Sequence, residues 1–249
     1  MPKPQITKQE EERADLKRKI ESVLFYGGIS REDYQQVKEP VGEDNRWSLV
    51  TWSVCAALFW IMSLLMSLNS EAYAACRTVY LVALVICIIT MICARFVTKH
   101  IPRLLVPLQY LFEMSILGAG IGIAICQPNV RTATTIAFAV LIPVCVIDST
   151  ITNVILHTFT IIAYEVFARN IIEPDIYSWG LTNLIIFSVA GILIGYVINK
   201  ARYQRYIYAE SARRLAEIQT RYAYYNQMTG LKNRRSFAAK IQLLSDELP

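Results

Sequence analysis

Charge is almost missing from the middle of this chain. It has 249 residues, with 25 basic and 20 acidic side chains, yet residues 47–199 hold only 12 of these 45 charges. The flanking 96 residues carry the other 33. A water-soluble domain of this length needs charge over its whole surface. The pattern excludes an ordinary soluble enzyme. A hydrophobic share of 54% likewise excludes a disordered chain. The six cysteines, mostly inside apolar runs, do not form a disulfide scaffold. What remains is a membrane domain between two polar ends.

A transmembrane helix needs roughly 20 mostly apolar residues to cross about 30 Å of hydrocarbon. Six runs qualify as spans: Trp47–Leu68, Thr78–Val97, Leu104–Cys126, Thr132–Ile147, Ile151–Ala168 and Tyr177–Asn199. The fourth is short and contains Pro143, and only a few residues around Asp148 join it to the fifth. Those two are the weakest, and a re-entrant pair is the alternative. Either count is even and puts both ends on one side. Arg95, Lys99 and Arg103 crowd the link between spans two and three, and Lys200, Arg202 and Arg205 open the tail. The links near Glu71, Arg131 and Glu173–Asp175 are poor in basic residues. The positive-inside rule therefore predicts a multi-pass protein of the cell's inner or plasma membrane, with both termini cytoplasmic. The first 46 residues are polar, so no cleaved leader is expected, and span one would serve as its own signal. Cys76 and Cys126 fall near the predicted outer face, where a disulfide is one option.

Four segments follow from this reading. Residues 1–46 form a cytoplasmic N-terminal helical region, and residues 47–199 the six-span bundle. Residues 200–225 form a signalling helix with coiled-coil character. Residues 226–249 begin a further domain. In the first segment, Leu16, Ile20, Val23 and Leu24 share one face of a helix over 9–26, which Gly27–Gly28 stops. Ser30 with Asp33 resembles a capping box for a short second helix.

No Gly or Pro interrupts the chain from Tyr196 to Thr229. The last membrane helix is therefore expected to continue into the cytoplasm as one rod. Leu215, Ile218, Tyr222 and Tyr225 follow 3-4-3 spacing, a short and imperfect heptad seam suited to a marginal dimer. Gly191 and Gly195 form a G-x-x-x-G in span six, and Gly118 and Gly122 another in span three. Packing inside one bundle and contact between two chains are both open for such a motif. Span six is the better candidate for the dimer contact, because it feeds the seam.

Gly230 ends that rod, and Phe237, Ile241, Leu244 and Leu248 give a new amphipathic helix one core face. Such a face cannot be buried by one helix alone. Residues 226–249 read as the start of a cytoplasmic domain.

The residues Met228-Thr229-Gly230-Leu231-Lys232-Asn233-Arg234-Arg235 resemble the leading motif of GGDEF domains, usually D-x-L-T-G-L-x-N-R-R. The resemblance covers only about 24 residues. It implies an α/β cytoplasmic domain that joins two GTP molecules into cyclic di-GMP, with divalent metal, one GTP from each subunit of a dimer. Asn226 stands where the family has Asp, so a charge-assisted contact becomes an ordinary hydrogen bond. Met228 stands for the first Leu, a conservative change. The family's metal-binding carboxylates and its G-G-[DE]-E-F signature are not among these residues. No residue here is therefore expected to be catalytic, and no metal or cofactor is expected in this chain. Mg²⁺ and GTP belong only to a complete domain.

Ionisable groups inside a bilayer are costly, so they are functional candidates. Glu113 lies in span three, and His157 and Glu165 in span five. Together they are expected to receive a small-molecule or ion signal. The plainer alternative has Glu165 reaching the outer interface while Glu113 and His157 bond to neighbouring helices. The whole reads as the membrane sensory and dimerisation module of a diguanylate cyclase, a homodimer in a lipid bilayer with no nucleic-acid partner. A small polytopic transporter or channel, or a shortened inactive regulator, are the alternatives.

Overall fold

The structure, a computed structural model, describes residues 8–225 together with Leu231, Lys232, Arg234, Phe237 and Ile241. Of the motif, Asn226, Met228, Thr229, Gly230, Asn233 and Arg235 lie outside the described residues. The described chain is helical nearly throughout, with seven principal helices: α1 (Lys8–Phe25), α2 (Arg31–Asn69), α3 (Arg77–Ile92), α4 (Leu105–Cys126), α5 (Thr134–Cys145), α6 (Thr150–Ala168) and α7 (Pro174–Tyr224). A π-helical turn over Cys93–Val97 and a further turn, Thr98–His100, carry α3 onward.

Among the described residues, five helices are long and apolar enough to cross a membrane: Arg31–Asn69, Arg77–His100, Pro102–Cys126, Thr150–Ala168 and Pro174–Tyr224. The expected fourth span is α5, which has 12 residues. At 1.5 Å per residue it is about 18 Å long, shorter than a hydrocarbon core.

The helix expected to be short after Ser30 is not separate. Ser30 caps it as read, its Oγ accepting from the Asp33 amide at 3.1 Å. The helix then runs through Pro40 into the first apolar span as one 39-residue element. Proline lacks the N–H that would bond the carbonyl four residues earlier. That carbonyl belongs to Gln36, and Gln36 and Pro40 are both exposed, so the carbonyl is open to solvent.

The chain divides into two compact units, residues 1–203 and residues 204–249. In the first, successive helices alternate in direction. Asn45, the Arg95–Trp47 contact, Gln109, Asp148 and Asn199 meet at one end. At the other end Arg77 bonds Ser67, the Glu173 amide meets the Pro128 carbonyl, and Arg131 lies over Trp179. The core between includes Leu49, Trp60, Tyr80, Cys87, Phe112, Leu117 and Leu184. Trp60 stacks on Tyr80 with ring centres 6.0 Å apart. The outward faces are apolar instead of charged: Leu58, Met62, Val82, Ile89, Ile155, Val166, Val189 and Leu193 are all exposed. Exposed apolar surface of that extent is compatible with a lipid surround. All six cysteines are free thiols.

In the second unit, Leu215, Ile218, Tyr222 and Tyr225 are exposed along the helix and its end. Ion pairs one turn apart, Arg213–Glu217 and Arg214–Glu210, support that helix. Tyr225 forms an isolated antiparallel bridge with Lys232.

Candidate functional site

Amides and carboxylates at the ends of apolar helices must find partners, because unpaired polar groups are costly where water is scarce. In the first unit they find each other around the link Val146–Ser149. Asn45 of α2 grips its backbone twice: Nδ2 donates to the Ile147 carbonyl at 2.8 Å, and Oδ1 accepts from the Ile147 amide at 2.9 Å. Asn199 of α7 donates to the carbonyls of Pro143 at 3.4 Å and Asp148 at 3.5 Å. Gln109 of α4 donates to Glu113 at 3.1 Å and reaches Asp148 at 3.5 Å. The Ser149 amide donates to Asp148 Oδ1 at 2.6 Å, and Tyr110 and Thr152 also hydrogen-bond this carboxylate. Burial pushes the Asp148 carboxyl above its ordinary range, and these hydrogen bonds work against that push. Among the described residues, neither Asp148 nor Glu113 has a salt-bridge partner.

The N-terminal region closes over the same end. Gly27 and Gly28 both have positive φ, +60° and +83°, which lets the chain reverse after α1. The Tyr203 ring of α7 stands where a Gly27 side chain would project, and the Tyr196 hydroxyl stands at Gly28. Tyr34 links the two, its ring 5.4 Å from Tyr26 and 5.8 Å from Tyr203. Tyr203 is buried, and burial pushes its phenol well above the ordinary value; burial also raises that of Tyr34.

His157 sits deeper. Its Nδ1 is 2.8 Å from the Asn153 carbonyl, and its Nε2 is 2.8 Å from the Ala139 carbonyl of α5. Ala139 is four residues before Pro143, so this carbonyl has no helical donor. Gly191 of α7 packs against the same carbonyl, and Gly195 packs against Pro143. Both glycines are thus used inside the chain, against α5. Packing inside one bundle is one of the two uses that the G-x-x-x-G spacing left open.

The three expected signal-binding residues go to different partners. Glu113 bonds Gln109, and His157 has its two ring nitrogens against two carbonyls, only one of which a neutral imidazole can serve as donor. Glu165 pairs with Arg169 at 2.8 Å and with the Tyr177 hydroxyl, at the opposite end from Asp148. No metal-holding group of three or more His, Cys, Asp or Glu occurs among the described residues. The sequence reading missed Asn45, Gln109, Asn199 and Tyr203. Their common signal was present: lone amides, and a tyrosine, at the borders of apolar runs.

The arrangement is a polar joint. It fastens α2, α4, α6 and α7 to one link and holds the N-terminal turn against α7. Among the described residues, fold and joint together define a nearly all-helical chain with membrane-type helices. Comparison with protein-family models, curated proteins and solved structures finds no match.

Proposed function

We infer that this chain is a membrane sensory and dimerisation module that passes its signal along α7 to a C-terminal cytoplasmic domain. The observation that carries the reading is the continuity of α7, 51 residues from Pro174 to Tyr224 without a break. At 1.5 Å per residue it is about 76 Å long, more than twice a hydrocarbon core. The alternating helices support six crossings, with α5 and its flanking residues as the fourth. Both termini then lie on the cytoplasmic side, where Arg95, Lys99, Arg103, Lys200 and Arg202 cluster.

The exposed seam of Leu215, Ile218, Tyr222 and Tyr225 suits a homodimer, in which a second copy covers those side chains. The output is the synthesis of cyclic di-GMP. That step rests on the likeness of residues 228–235 to the GGDEF leading motif, and GTP and Mg²⁺ would be used by the completed domain. Signalling of this kind requires two helix arrangements separated by a few kcal/mol.

Two experiments test the reading. Cysteines placed singly at Leu215, Ile218 and Tyr222 are expected to give disulfide-linked dimers in native membranes, and no such dimers would overturn the homodimer. The coding frame past codon 249 is expected to continue into a G-G-[DE]-E-F turn; a frame encoding another domain removes the cyclase output and leaves the membrane module.

A further inference from the structure

A cavity of about 480 Å³ lies between α2, α4 and α5. This is within the size range of small-molecule sites, about 300–1,000 Å³. Its wall is aromatic: Phe138 meets Phe59 and Trp60 edge-on, with ring centres 6.0 and 5.8 Å away. Trp52, Ile116 and Leu141 extend it, and no charged side chain borders it. Phe59 and Leu141 are also exposed on the outside of the bundle, so the cavity opens sideways. Trp52–Trp60 belong to the apolar stretch of α2, which places the mouth at the depth of the hydrocarbon. Water gains too few hydrogen bonds in such a space, and a charged ligand finds no partner.

We propose that this cavity holds one acyl chain of a bilayer lipid, and that its filling sets the position of α5 against α7. The proposal deepens the sensory reading and rests on it. The occupant follows from what surrounds the opening: a laterally open apolar cavity in a bilayer meets hydrocarbon at very high concentration, and mass action fills it. The consequence follows from the two faces of α5. Phe138, Leu141 and Ile142 line the cavity. Ala139 and Pro143, on the other side, meet Gly191 and Gly195 of α7 with no α7 side chain between. Close-packed backbone transmits displacement, because it cannot take it up by rotamer changes. A thicker or kinked chain in the cavity therefore moves the helix that leads out of the membrane.

The test uses the full chain with Trp47, Trp52 and Trp179 replaced by Phe, leaving Trp60 as the fluorophore. Trp60 is fully buried, so lipid on the outer surface does not touch it. The protein is reconstituted in phosphatidylcholine vesicles with plain chains or with chains brominated at mid-length. The expected result is loss of Trp60 emission in the brominated vesicles, and its recovery when Ala137→Phe or, separately, Ala133→Leu fills the cavity. Equal emission in both vesicles overturns acyl-chain binding. Quenching that neither filler reduces also overturns it, because bromine would then arrive by another route. Disulfide capture between two copies at Ala137→Cys, with Trp60 unquenched, would show a second chain in the cavity instead. For the coupling, Ala137→Phe is expected to change dimer capture at Ile218→Cys. Unchanged capture with quenching intact overturns the coupling. No capture at Ile218→Cys in any background overturns the homodimer of the sensory reading instead, while leaving the lipid result standing.

Discussion

His157 Nε2 stands 2.8 Å from the carbonyl oxygen of Ala139, the one that Pro143 leaves without a donor in its own helix. With its proton on Nε2, the histidine of α6 repairs this defect in α5 inside the bundle, where His157 is fully buried. Replacing His157 with Leu orphans that carbonyl and is expected to cost about 1–3 kcal/mol of stability. Pro143→Ala restores the missing N–H. In that background the cost of His157→Leu is expected to fall, a coupling that a double-mutant cycle of unfolding free energies measures directly. Equal costs in both backgrounds would show that the two residues act independently.

The glycines of α7 differ sharply from others in the chain. An ideal Cβ at Gly191 would stand 2.5 Å from the Ala139 oxygen, and one at Gly195 2.9 Å from the Pro143 oxygen. Both obstacles are backbone and cannot step aside. A Cβ at Gly42 or Gly118 meets nothing within 4 Å. Gly191→Ala and Gly195→Ala are therefore expected to lower the unfolding temperature of the bundle. Gly42→Ala, in a helix, is expected to raise stability by roughly 0.5–1 kcal/mol. Thermal unfolding of the purified variants checks both directions, and a neutral Gly191→Ala would show that α5 and α7 are not in close contact.

The contrast between these residues shows what the sequence made legible. Trp47–Leu68 and Tyr177–Asn199 could be read as helices because apolar runs of that length have few other uses in a chain. The reach of α7 to Tyr224 followed from the absence of Gly and Pro, and the Ser30 cap from local spacing. The continuation of α2 through Pro40 did not follow, because it depends on whether water can reach the Gln36 carbonyl. The joint was hidden for another reason. Asn45 and Ile147 are 102 residues apart, and the Asn199–Asp148 pair 51 apart, so no local period links them. G-x-x-x-G spacing showed that a close helix contact exists, but not that α5 makes it. Glu113, His157 and Glu165 were visible as costly residues, yet their partners depend on the three-dimensional arrangement alone.

Asn45 holds the Ile147 backbone by two hydrogen bonds in a buried position. Asn45→Leu removes both partners at once and leaves a buried amide and carbonyl unpaired, at an expected cost of about 1–3 kcal/mol for each group left so. Amide hydrogen exchange at Ile147 is expected to accelerate by more than the global loss of stability explains. Protection at Ile147 unchanged relative to α6 would mean that the link is held without Asn45.

Asp148 yields a prediction of opposite sign. Its folded-state value is raised by burial, so ionisation at neutral pH works against the fold. A carboxyl shifted upward adds stability below its unfolded value, about 3.9, and loses it as pH rises through the folded value. Asp148→Asn keeps an oxygen to accept from the Ser149 amide without the charge. It is expected to stabilise the bundle at pH 7 and to flatten the pH dependence above pH 4. A destabilised Asp148→Asn at neutral pH would show that the charge itself is needed in the joint.

Tyr203 sets the alkaline limit of the latch between the N-terminal turn and α7. Burial raises the phenols of Tyr203 and Tyr34, so the folded chain keeps protons there that the unfolded chain releases from about pH 10. Their contribution is whole below that pH and is lost as pH rises further, because the unfolded state then binds fewer protons. The ring of Tyr203 fills the space over Gly27, and Phe preserves that ring while removing the ionisable oxygen. Tyr203→Phe is therefore expected to fold as the parent does at pH 8 and to be the more stable of the two above pH 10. Proteolysis between Phe25 and Arg31, followed against pH, reads the opening of this turn: earlier cleavage of the parent than of Tyr203→Phe supports the latch, and identical profiles rule out a part for the Tyr203 phenol in holding it shut.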